Sequence, residues 1–144
     1  MLIASGCNRH PQNESVESKR MQAEVVPQLL SWAKSPAKEL QLSTLEGLQT
    51  FDYVCSVWQY KAYDDIKQIV GPIDRFYGAY VGSVPENLNA FIGVKDRRAH
   101  VAHFDMWELN IYGGTACVSP KISSLVRKEE HQPASPQAAF KPSA

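Results

Sequence analysis

Two β-rich runs, "NAFIGV" and "AHVAHFDMWELNIY", flank the polar tetrad Lys95-Asp96-Arg97-Arg98, and this arrangement restricts the chain more than any other stretch of it. Apolar and aromatic residues on both sides of a short charged break predict a β-hairpin, which commits the centre of the chain to an antiparallel sheet. A further strand is predicted upstream. In "TFDYVCSVWQYKAY", Phe51, Tyr53, Cys55 and Val57 alternate with Asp52, Val54, Ser56 and Trp58 in β-branched and aromatic company. Shorter β-like runs at "IDRFYGAYVG" and at "TACVS", which follows Gly113-Gly114 and stops at Pro120, add to the sheet.

Helical signals lie mostly ahead of these strands. Met21, Val25, Leu29 and Trp32 recur at helical spacing, and Val26, Leu30 and Ala33 widen the stripe, so an amphipathic helix is expected. Pro27 sits inside that pattern without a backbone donor: either the helix kinks there, or a short helix restarts with Pro27 in its first turn. Ser35-Pro36 ends it. Ser43-Thr44-Leu45-Glu46 has the spacing of a capping box, which predicts a helical turn cut short by Gly47. "DDIKQIVGP" predicts a short helix with acidic residues at its start and a Gly71-Pro72 stop.

The order of elements predicts an α+β fold, with one or two N-terminal helices packed on a mainly antiparallel four- to five-stranded sheet. At 144 residues with 44% hydrophobic content, one core is expected, in a single domain over 19–122. The polar, aperiodic segment 7–18 reads as a tether. Residues 123–144, with the Pro, Ala and Ser content of "EEHQPASPQAAFKPSA", read as a disordered tail. Fifteen basic residues balance fifteen acidic ones, so no broad positive field exists to hold nucleic acid. No apolar run approaches the roughly 20 residues that cross a bilayer as a helix.

Candidate chemistry centres on "HVAHFDMWE". Strand alternation puts His103 and Asp105 on one face and His100 and Glu108 on the other, so one histidine and one carboxylate converge on each. That is short of the three or four ligands a metal needs, and no metal or other cofactor is expected. The simpler reading of His103 is a paired histidine on a half-buried strand; the alternative is that His103 with Asp105 makes an oriented general base for a small periplasmic hydrolase. Cys55 offers a thiolate nucleophile for the same reading; a Cys55–Cys117 disulfide is the simpler account in an oxidising compartment. No glycine pattern suits a phosphate. Arg97 and Arg98 at the hairpin tip, with Trp107 among exposed aromatics, form the candidate surface for a protein partner.

At the N-terminus, Ala4-Ser5-Gly6-Cys7 after Leu2-Ile3 resembles the lipobox of bacterial lipoproteins. The resemblance implies that Cys7 is lipidated and becomes the mature N-terminus, with residues 1–6 a signal-peptide remnant. Asn8 after the cysteine implies sorting to the outer membrane, facing the periplasm. Proteins of this class are often immunity-type inhibitors or envelope and secretion assembly accessories, so the expected partner is a toxin or an envelope component.

Overall fold

The structure, a computed structural model, describes residues 10–128 and 135–142. Cys7 and the 1–6 segment lie outside the described residues, as do the remaining tail positions 129–134 and 143–144.

A continuous helix runs from Val16 to Lys34, as α1 (Val16–Arg20), a π-helical stretch (Met21–Val25) and α2 (Val26–Lys34). It starts three residues inside the expected tether because Ser15 is an N-cap: its Oγ accepts from the Ser18 N–H at 2.9 Å, and Ser18 Oγ accepts from the Ser15 N–H at 2.8 Å. This reciprocal box satisfies two of the amides a helix start leaves unpaired. Pro27 is accommodated by widening the turn before it. The Val26 N–H reaches back five residues to the Met21 carbonyl, and Pro27 then falls in the first turn of α2, where its missing donor costs nothing. At the other end, the Arg127 guanidinium donates to the carbonyls of Trp32, Ala33 and Ser35 at 2.8–3.0 Å and lies 5.0 Å from the Trp32 ring.

The remaining elements are β1 (Glu39–Gln41), β2 (Tyr53–Val57), α3 (Lys67–Val70), β3 (Arg75–Tyr77), β4 (Leu88–Lys95), β5 (Arg98–Asp105), β6 (Asn110–Ile111), β7 (Ala116–Val118), β8 (Ser123–Lys128) and β9 (Gln137–Pro142). They make two sheets, ordered β3-β5-β4-β2-β7 and β1-β8-β9-β6, mostly antiparallel, with parallel pairs at β3–β5 and β6–β9. The α+β expectation therefore holds, with two sheets in place of one. The predicted hairpin is β4–β5, closed by Asp96 and Arg97 at φ 53° and 62°. Two consecutive positive φ values give the turn a twist that matches the strands it joins. The Ser43–Glu46 box does not form: 3₁₀ turns Leu42–Thr44 and Glu46–Leu48 occupy the segment without a side-chain cap.

The disordered-tail expectation for 123–144 is corrected at two places, where β8 and β9 are strands. Leu125 and Ala138 are fully buried in the same apolar cluster as Met21, Val25, Leu29 and Phe91. Arg127 ties β8 to the end of α2. The domain thus extends beyond residue 122 because its last strands cover a core flank and cap a helix.

The five-stranded sheet is buried on both faces. Val54, Phe91, Ala102 and Phe104 pack toward the long helix, while Cys55, Val57, Ile92 and Val101 pack toward Tyr63, Ile66, Ile73 and Val84. Cys55 and Cys117 are direct cross-strand partners on β2 and β7 and form a disulfide. Among the described residues no helix is long and apolar enough to cross a membrane.

Candidate functional site

β3 is short, so beyond His100 one side of β5 has no strand beside it. The Gln22 amide takes over: its Nε2 donates to the His103 carbonyl at 2.7 Å and its Oε1 accepts from the His103 N–H at 2.9 Å. The helix start is thereby fixed against β5. An open cleft of about 490 Å³ lies where the two meet the hairpin tip. Ser15, Glu17 and Arg20 enter from the helix, Tyr77 from β3, Lys95 from β4, and Arg98 and His100 from β5, with Phe51 also on the wall. Phe51 fits there because Gly93, paired in register with His100, has no side chain; a Cβ would stand 2.5 Å from the ring.

His100 is almost fully buried, stacked on Tyr77 with centroids 5.1 Å apart and planes 9° from parallel. Its Nδ1 lies 2.7 Å from Ser15 Oγ and 3.9 Å from Glu17 Oε1. The Ser18 hydroxyl donates to the Ser15 carbonyl, and the Ser15 hydroxyl lies within hydrogen-bond reach of both His100 Nδ1 and Ser18 Oγ, the latter 3.2 Å away. Burial lowers the His100 pKa, the Glu17 carboxylate pulls it back up, and the Arg98 and Arg20 guanidiniums lower it further.

Ser15 beside His100 looks like a nucleophile with its base, but the geometry does not serve that chemistry. Ser15 Oγ already accepts the helix-capping N–H, and Glu17 approaches the same ring nitrogen as the serine. An orienting carboxylate belongs on the opposite nitrogen. What the cleft does offer is donors. Arg20 Nε is buried without a hydrogen-bond partner among the described residues, and neither Arg20, Lys95 nor Arg98 enters an ion pair there.

The residues singled out from the sequence are dispersed. His103, 6% exposed, faces away from the cleft and is hydrogen-bonded through Nε2 to the Tyr63 hydroxyl, 2.8 Å away, with the Tyr80 ring edge-on. Asp105 does not join it: at the exposed end of β5 its carboxylate accepts from the Trp107 N–H at 2.8 Å. The His103–Asp105 base is therefore not assembled. Cys55 is no free thiolate, being disulfide-bonded. Glu108 lies 3.8 Å from Lys34 rather than beside His100. Arg97 is held at the tip by Asp74, 2.9 Å away. Trp107, 58% exposed, follows the far end of β5, roughly 25 Å from Arg98 at about 3.3 Å per residue, so the two belong to separate surfaces. Among the described residues no three His, Cys, Asp or Glu side chains cluster to hold a metal. Ser15 and Arg20, which shape the cleft, were not among the expected site residues.

Burial pushes the His103 pKa down to about 4 and the Tyr63 pKa up to about 12. The folded chain thus keeps His103 neutral at pH values where the unfolded chain, near 6.5, takes up a proton. Stability from this difference is complete above pH 6.5 and is lost as pH falls toward 4, roughly 3 kcal/mol in all. Urea unfolding at pH 7 and pH 4 should show that loss, and His103→Gln, whose amide can still pair with the Tyr63 hydroxyl, should flatten it. Equal pH slopes in the two proteins would contradict this role for His103.

Together the fold and the cleft define an α+β protein with two sheets, a cross-strand disulfide and an open, cation-lined recess beside a buried histidine. No family model, curated protein or solved structure matches the chain.

Proposed function

We propose that this chain is a lipid-anchored periplasmic binding protein, attached through Cys7 to the outer membrane, that acts by contact with another protein. The Cys55–Cys117 disulfide carries the reading, because such bonds persist in oxidising compartments and the lipobox-like Ala4-Ser5-Gly6-Cys7 leaves this pair once Cys7 is acylated. Contact is favoured over catalysis by how the reactive groups are used. Cys55 is bonded, Ser15 caps a helix and His103 is sealed behind Tyr63. Tyr60, Val81 and Trp107, by contrast, are displayed to solvent. An immunity-type inhibitor or an envelope or secretion assembly accessory would use such a surface against a toxin or a complex component.

The full-length precursor should take up labelled palmitate and fractionate with the outer membrane, and Cys7→Ser should abolish both. A photo-cross-linking residue at position 60, 81, 98 or 107 should yield one discrete protein adduct in living cells. Membrane attachment unchanged by Cys7→Ser would remove the anchor, and absence of adducts at all four positions would remove the contact.

A further inference from the structure

Register places Arg75 of β3 opposite Arg98 of β5, and Arg98 opposite Lys95 of β4. Directly opposed residues project on the same face of a sheet, and like charges there repel. Three cations therefore form a row across three strands, roughly 10 Å long at the usual strand spacing. Arg75 lies over the Tyr77 ring at 6.0 Å, the ring that stacks on His100, so the row runs along the rim of the cleft. Arg20 on the cleft wall adds a further cation, and among the described residues its buried Nε has no hydrogen-bond partner. A local arrangement that works against the fold marks a place where something other than folding is served.

The geometry points to this cleft as the docking site for an acidic segment of the protein partner, whose carboxylates pair with the row Arg75, Arg98 and Lys95 and with Arg20 on the cleft wall. This inference rests on the reading that the chain acts by protein contact. Guanidinium forks match carboxylates in two-point geometry. The length of the row selects the source of the anion: one carboxylate or phosphate spans only two neighbouring cations, whereas successive acidic residues of an extended segment occupy the whole row. Glu17 and Asp96, also on the cleft wall, limit the field and so favour placed contacts over general attraction.

The test uses the full chain carrying Cys7→Ser and a fluorescein-labelled hexaglutamate peptide, followed by anisotropy. Hexaglutamate should bind at least tenfold more tightly than hexaglutamine and weaken at least fivefold between 50 and 300 mM salt, magnitudes on the order expected when exposed charge pairs are screened. Arg98→Gln and Arg20→Gln should each weaken it about fivefold or more, while Lys61→Gln, away from the cleft, leaves it unchanged. Arg98→Gln should also unfold at a temperature equal to or above that of the parent chain, because it relieves the row. Hexaglutamate binding no better than hexaglutamine, or binding indifferent to Arg98→Gln, would overturn the inference. So would displacement by inorganic phosphate at equal concentration, which would make the cleft a site for a free anion. None of these results bears on palmitate labelling or cross-linking from Trp107, so the wider reading stands or falls separately.

Discussion

Replacing both Cys55 and Cys117 by alanine should lower the free energy of unfolding by about 4 kcal/mol, the chain-entropy value for a closed loop of about this length. The bond joins residues 62 apart, and the segment between them holds α3, β3 and the whole β4–β5 hairpin. Cross-linking so long a loop removes many open conformations from the unfolded chain. The folded state has a reason of its own to need it. β7 is a three-residue edge strand paired only to β2, and the strands that follow it, β8 and β9, cover the flank of the helix-side core. Losing the bond frees that edge. Against a typical total of roughly 5–15 kcal/mol, the deficit is a large share of all stability. Guanidinium titrations followed by tryptophan fluorescence should show it, and denaturation in the presence of dithiothreitol should bring the parent chain to the same midpoint. A difference under about 1 kcal/mol would mean that β7 is held by its sheet alone.

How much of this was legible in the sequence depended on how local each signal was. The β4–β5 hairpin announced itself through one charged tetrad between two apolar runs, and the long helix through a single stripe. The cysteine pair needed only the condition of an oxidising compartment. β8 and β9 carried no such signal. Leu125 pairs with Leu40, far away in sequence, and Arg127 stabilises the helix end by reaching carbonyls more than 90 residues back, while the flanking Pro and Ala gave the composition of a tail. The site divides in the same way. Alternation along β5 correctly set His100 and His103 on opposite faces, but it was His100 that met a cleft. Its partner Ser15, 85 residues earlier, sat in a stretch read as tether. Ser15 and Ser18 ahead of the apolar stripe were the available cue, as a helix start with side chains pointing back toward the sheet. Arg20 had no local cue at all, since its significance lies in the unpaired Nε.

Gly78→Ala should cost about 2–5 kcal/mol, the sum of a conformational and a packing penalty. Gly78 follows β3 directly and holds φ at +85°, a region where an L side chain costs roughly 1–2 kcal/mol. A Cβ there would stand 2.6 Å from the Val101 carbonyl oxygen and 3.2 Å from Ser18 Cβ. The first contact is the decisive one, because Val101 belongs to the backbone of an interior strand that pairs with β4 and cannot yield without dragging the hairpin. The second wedges the helix start away from β5, the junction that Gln22 closes and that forms the cleft. Gly82→Ala supplies the comparison. Its φ is nearly the same, +88°, but no atom lies within 4 Å of the added carbon, so only the conformational part, about 1 kcal/mol, should be lost. Urea titrations should separate the two variants by about 1–3 kcal/mol, the overpacking share. Tyr77 adjoins Gly78 and stacks on His100, so Gly78→Ala should also shift the His100 ring resonances in NMR spectra, while Gly82→Ala leaves them in place. Equal losses in the two variants would show that the turn geometry alone matters, and that close approach of Gly78 to β5 is not what seats the helix on the sheet.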